Sequence, residues 1–125
     1  MTRIVWFSRH QPTERQRTEL ESIFGADVAL EHDSRAFDGA DDIVTRFKLS
    51  GASELIVVAP DAVIRAIVRR GIRPLHARME LCSRRNPERE VTIDSRYGKP
   101  RHYRHVCFER ITHADFQTEP LTSLV

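Results

Sequence analysis

Ser8, Arg9 and His10 stand at the end of the apolar run formed by residues 4–7. A hydroxyl, a guanidinium and an imidazole are thus set side by side. Neutral imidazole titrates near physiological pH and can take a proton as general base. Beside a phosphate, His10 could deprotonate a ribose 2′-hydroxyl. Arg9, or Arg84 and Arg85, would then stabilise the charge developing on a phosphorane. Such chemistry needs no metal. Three other stretches stand at the ends of β-like runs: His32-Asp33-Ser34-Arg35, Pro60-Asp61 and Ser83-Arg84-Arg85-Asn86. The expected site is therefore His10 as catalytic base, with Ser8, Arg9, Arg35, Asp61, Arg84 and Arg85 as ligand-binding residues. No cofactor and no metal is expected. Each residue also has a plainer role: Ser8 as a backbone cap, Arg9 paired with an acid of the second helix, His10 as a solvated loop residue.

Several chemistries are disfavoured. No Gly-rich dinucleotide fingerprint and no Walker-type loop follows a strand-like run. No Gly-x-Ser-x-Gly elbow occurs. His102 and His105 are three apart in a β-like stretch, which puts them on opposite faces and argues against a shared metal. Tyr103, His105 and Cys107 are expected on one face, against sheet or partner. Cys82 and Cys107 have no zinc or redox spacing and read as buried thiols.

The elements that position these residues follow a simple alternation. Residues 3–8 read as a strand. Thr13-Glu14-Arg15-Gln16 forms a capping box, so 13–24 reads as a helix stopped by Gly25. Residues 27–32 read as a second strand. A helix carrying Ile43, Val44 and Phe47 on one face then ends at Gly51. The run 54–60 is continuously apolar, as expected of a strand covered on both faces. Pro60 and Asp61 open a third helix, stopped by Gly71. Strand–helix repeats over residues 1–71 predict a mostly parallel sheet in a small Rossmann-like α/β three-layer sandwich. Residues 72–125 read as edge strands with an antiparallel hairpin, the whole chain 1–125 forming one domain. Residues 74–82 alternate, with Leu75, Ala77, Met79 and Leu81 on one side. Two β-like stretches flank the turn at Ser95-Arg96-Tyr97-Gly98.

In open α/β sheets ligands bind beyond the carboxyl ends of the strands. If the first four strands are parallel, the four polar stretches converge on one anion-friendly rim. If the fourth is antiparallel, Arg84 and Arg85 move to the opposite rim.

The chain of 125 residues has a net charge of +2. Residues 1–64 carry a net −4 and residues 65–110 a net +8, with eighteen Arg and two Lys overall. That asymmetry points to an anionic partner, and Arg suits bidentate phosphate recognition. An Arg-rich coding bias produces the same count. The stretch 84–101, with Tyr97 interleaved, could grip nucleic acid; Glu88, Glu90 and Asp94 dilute its charge. No apolar run approaches the roughly 18 residues of a membrane span, and the N-terminus has no signal-peptide pattern. A cytoplasmic protein with no membrane partner is expected.

The opening IVWFSRHQPTERQRTELESIFG, residues 4–25, resembles a loose group of small bacterial, prophage and mobile-element proteins. It is also similar to small CRISPR-associated Rossmann-like proteins of type III systems. Phe7, Ser8, His10, Thr13 and Gln16 match their Phe-Ser-His-x-Leu-Thr-x-x-Gln opening. Arg9 is an insertion, and Pro12 replaces the usual leucine. The resemblance implies a homodimer that binds, and in some cases cleaves, a cyclic oligoadenylate. Two expectations follow: a dimeric protein binding a cyclic oligonucleotide or other phosphorylated ligand, with metal-free cleavage as an option, or a non-enzymatic phage or mobile-element accessory protein. The second would bind a host protein or nucleic acid through the Arg-rich hairpin.

Overall fold

Thr13 starts the first helix as its residue type requires. In the computed structural model, which describes residues 1–93, 98–114 and 118–121, its Oγ1 accepts the Gln16 N–H and the Gln16 side chain accepts the Thr13 N–H. Helix α1 spans Glu14–Phe24 and stops at Gly25, whose N–H meets the Glu21 carbonyl at 2.9 Å. Helix α2, Gly39–Ser50, ends at Gly51 with φ +72°, a left-handed turn in which a Cβ would be strained. Helix α3, Asp61–Arg69, follows Pro60, which has no N–H to waste at a helix start.

Seven strands complete the described α/β fold: β1 Arg3–Phe7, β2 Ala29–Asp33, β3 Glu54–Val57, β4 Leu75–Cys82, β5 Val91–Ile93, β6 Arg101–Ile111 and β7 Thr118–Pro120. They form one sheet in the order β2-β1-β3-β4-β6-β5, with β7 also on β6. Strands β1 to β4 are mutually parallel. Strand β6 alone runs the other way, antiparallel to β4, β5 and β7. The expected hairpin is β5–β6; the turn residues Arg96 and Tyr97 lie outside the described residues.

Alternation sends the side chains of β1 to two faces. Val5 and Phe7 pack with Ile43, Val44, Ile64 and Ile67 of α2 and α3. Ile4 and Trp6 pack with Leu20 of α1, Leu75 and Phe108. Phe7, Ile4, Leu55 and Ile56 are almost wholly buried, and each such side chain stabilises the fold by roughly 1.5–3 kcal/mol. The continuous apolar run of β3 is explained by this two-sided cover. It is shorter than expected: after Val57 the chain turns outward through residues 58–60, its last ladder bond being Val58 N–H to the Phe7 carbonyl at 3.1 Å.

The fourth strand departs from a level rim. Its register pair with β3 is Ile56↔Leu75, so β4 begins where β3 is about to end. Seven further steps carry it roughly 23 Å beyond that point. Strand β6 follows it back, and β5 pairs with the start of β6 at the far end. A bulge interrupts the pair: Arg78 faces Cys107, Met79 faces His105, and Val106 is the extra residue. Bulges increase local twist, and this ribbon curls back over the rim.

The bulge also corrects one expectation. Tyr103, His105 and Cys107 do not share a face. His105 lies with Phe108 on the α1 side, and Cys107 is turned to the opposite side, where its Sγ is 3.8 Å from Glu109 Oε1. Burial, with Glu109 adding, pushes the Cys107 thiol pKa up. Both cysteines are free and half-buried rather than fully buried. Among the described residues, no helix is long and apolar enough to cross a membrane.

Candidate functional site

The carboxyl ends of β1 and β3 and the overhanging ribbon enclose a cavity of about 290 Å³. Its floor is Trp6, Val57, Val58 and Ala59, and α3 adds Asp61 and Ile64. The ribbon supplies His76, Ala77 and Met79 from β4, Val91 and Ile93 from β5, and Tyr103 from β6. The loop after β1 and the start of α1 supply Ser8, His10, Gln11, Thr13 and Gln16. The walls are thus mostly apolar and aromatic, with five polar residues at the β1 end and Asp61 and His76 on α3 and β4.

A second cavity, of about 360 Å³, adjoins it. Ser8, His10, Val58 and Ile93 line both. The second cavity adds Arg9, Ser34, Arg35, Ala36 and Phe37. His10 therefore stands at the junction between an apolar chamber and one bearing two arginines.

The β1 loop is held from two sides. Ser8 Oγ accepts the His10 N–H at 3.2 Å, so the hydroxyl caps the backbone. His32 Nε2 donates to the Ser8 carbonyl at 2.7 Å, and Ser8 N–H reaches the Asp33 carbonyl at 3.4 Å. His32 is thus a strut for the loop. The loop after β2 is clamped by Arg46, which donates to the Ala36 carbonyl at 2.6 Å and pairs with Asp42 at 2.8 Å.

Arg9 makes no ion pair among the described residues, which leaves its charge for the second cavity. Arg35 is committed: its Nε and a terminal N–H meet Asp33 at 3.0 and 2.7 Å. That hydrogen-bonded guanidinium holds the Asp33 carboxyl below the usual range, against the opposing effect of burial, with Arg46 adding attraction. Asp61 lies in the first turn of α3 and faces the first cavity. The helix start there carries an acid, which disfavours an anion at that end.

Arg84 and Arg85 line none of these cavities. Strand β4 is parallel to β3 as the rim argument needed, but its length carries both arginines past the rim to the ribbon's far end. The neighbouring hairpin charge is also drawn down within the fold. Arg104 pairs with Glu80 and Glu88, Arg15 of α1 with Glu88 and Glu90, and Arg89 donates to the Arg84 carbonyl.

His76, Gln16 and Tyr103 line the cavity although sequence reasoning did not select them. Alternation along residues 74–82 puts His76 only on the side opposite Leu75, Ala77 and Met79. The residue is exposed at the edge of the cavity, with protein on its inner side. Desolvation on that inner side lowers its pKa, while Glu109 and Asp61 pull it back up. Only the register of β4 on β3 could have revealed its place. Trp6, 3% exposed, has an indole N–H without an acceptor among the described residues and packs edge-on to Phe108 at 6.0 Å between ring centroids. Among the described residues there is no group of three or more potential metal ligands.

No protein-family model matches the chain, and neither a curated protein nor a solved structure matches it significantly.

Proposed function

We propose that this domain binds an adenylate, with the heterocycle in the apolar cavity and a phosphate in the adjoining one beside Arg9. The observation that carries this reading is the shared wall: Ser8, His10, Val58 and Ile93 line both chambers. A nucleotide is a flat, largely apolar ring joined through a sugar to an anion, and the paired chambers have that division. Helices on both faces of the β2-β1-β3-β4 sheet support a Rossmann-like three-layer core for it.

A ribonucleotide so seated places its sugar next to His10. In a cyclic oligonucleotide, His10 as base would take the 2′-hydroxyl proton, and the 2′-oxygen would attack phosphorus. The bond from phosphorus to the 5′-oxygen would break, leaving a 2′,3′-cyclic phosphate and a 5′-hydroxyl that receives a proton. Arg9 is the charge available to the phosphorane. His76, on the same cavity, is a second proton carrier. A homodimer would double the site, and light scattering with and without ligand reads that state.

The test is incubation of the pure protein, in EDTA, with cyclic oligoadenylates and cyclic dinucleotides, reading thermal midpoint and products together. A raised midpoint with products that vanish in His10→Ala supports binding and cleavage. A raised midpoint without products leaves binding alone. No shift and no product with any member refutes the proposal.

A further inference from the structure

Beside the Trp6 indole N–H, the cavity wall holds a second buried donor, on Gln16, that the protein itself matches poorly. Gln16 is 4% exposed and lines the apolar cavity. Its amide is oriented from two directions. Oε1 accepts the Thr13 N–H at 2.9 Å. Nε2 lies 3.3 Å from Nδ1 of His105, a residue 1% exposed. His105 Nε2 is 3.1 Å from Glu19 Oε1, and Glu19 Oε2 accepts the Phe108 N–H at 2.6 Å. A carboxylate on Nε2 keeps the imidazole proton there and leaves the Nδ1 lone pair toward Gln16.

Gln16 Nε2 carries two protons. One serves His105 Nδ1. The other meets Met79 Sδ at 3.6 Å, a weak thioether acceptor on the wall of the same cavity. Flipping the amide would set Oε1 against the Nδ1 lone pair and abandon the Thr13 N–H. Resting on the reading that this cavity takes the heterocycle of a nucleotide, we propose that Gln16 selects the ligand: its second Nε2–H donates to an acceptor on the heterocycle's edge. Glu19 and His105 are positioning residues that keep that N–H, not the carbonyl, toward the ligand. Met79 gives way readily because its side chain is unbranched and adaptable. The site therefore prefers a ring nitrogen or carbonyl at this edge over an amino group.

The experiment is calorimetric titration of the full chain with AMP and its 1-deaza, 3-deaza and 7-deaza analogues, each lacking one ring-nitrogen acceptor. Wild-type protein, Gln16→Leu, His105→Leu and His105→Gln are compared. The wild type is expected to lose roughly three- to tenfold in affinity for one analogue, the size of a single hydrogen bond. Gln16→Leu and His105→Leu should bind that analogue and AMP equally. His105→Gln should restore the difference, because its amide can accept from Gln16 and donate to Glu19. Equal discrimination in wild type and Gln16→Leu overturns this inference and leaves the nucleotide reading standing. Failure of wild type to bind AMP or any analogue overturns this inference, and failure with the cyclic oligonucleotides as well overturns the nucleotide reading. Should the leucine variants not fold, the side-chain amide protons of Gln16 in the wild type decide by NMR. AMP should shift the proton facing Met79 more than the one facing His105, and equal or absent shifts refute the proposal.

Discussion

Replacing Glu19 by leucine tests whether one carboxylate closes the gap along β6. On the edge away from β4, β5 covers residues 101–103 of β6 and β7 covers residues 109–111. Between them, among the described residues, no strand pairs with that edge. Glu19 reaches in from α1 and accepts two buried donors, the Phe108 N–H at 2.6 Å and His105 Nε2 at 3.1 Å. Glu19→Leu orphans both. Each unpaired buried donor costs about 1–3 kcal/mol. The Glu19 side chain is 24% exposed, so water relieves part of that, and the expected loss is about 3 kcal/mol. Glu19→Gln keeps one acceptor oxygen and should lose about 1 kcal/mol. Glu21→Leu, on the exposed side of the same helix, should stay within about 0.5 kcal/mol of wild type. Urea unfolding gives the free energies, and a thermal scan should show Glu19→Leu melting about 10 °C lower. Hydrogen exchange should show the Phe108 amide losing protection before its neighbours in β4. A Glu19→Leu protein within 0.5 kcal/mol of wild type at unchanged urea slope, by the roughly ±0.5 kcal/mol standard of a neutral surface change, would refute the reasoning.

Asp33, whose pKa is lowered chiefly by the Arg35 hydrogen bond, stabilises the fold fully above the ordinary aspartate range, and that part is lost as pH falls through its own lower value; Asp33→Asn should flatten the acid limb of a pH–stability curve, and an unchanged limb would exclude the ion pair as its cause. Asp61 and Glu109 both oppose the burial that lowers His76, so Asp61→Asn should move the His76 titration to still lower pH by NMR, whereas a rise would contradict the shared cavity. Deleting Val106 leaves Met79↔His105 and Arg78↔Cys107 in consecutive register with every side chain on its present face; the protein should remain folded while AMP affinity falls with the lost curl, and an unfolded chain would show that the bulge is structural in itself.

Local chemistry was legible and long-range register was not. The α1 cap is readable because Thr13 and Gln16 are three apart and make both bonds themselves. Gly51 is readable because a left-handed turn wants glycine. The rim rule brought Ser8, Arg9, His10, Arg35 and Asp61 to adjoining cavities because β1, β2 and β3 end nearly level. It misplaced Arg84 and Arg85 because the rule assumes that every strand ends at the same height, and β4 does not. The bulge at Val106 has no glycine or proline to announce it. Gln16 and His105 are separated by 89 positions, so no spacing pattern joins them; a buried partner for His105 was foreseeable only as a general need of an imidazole in a core.

The overshoot of β4 divides the site mechanically as well as chemically. The loop bearing His10 is fixed to β1 and β2 by the His32 and Ser8 bonds. The opposite wall belongs to the ribbon, which is tightly paired within itself from Leu75 to Cys82 and rooted on β3 by the register pair Ile56↔Leu75, by Arg110 on Glu54 at 3.0 Å and by the burial of Leu75 and Phe108. These holds all lie at the root of the ribbon, and its far end extends beyond β3. Helix α1 supplies a further hold nearer that end, through Glu19 on β6 and Arg15 on Glu88 and Glu90. The same helix places Gln16 in the wall. Glu19 and His105 therefore belong both to the contacts that tie the ribbon to α1 and to those that orient the Gln16 amide, so one pair of side chains couples the cavity wall to its hydrogen-bonding edge.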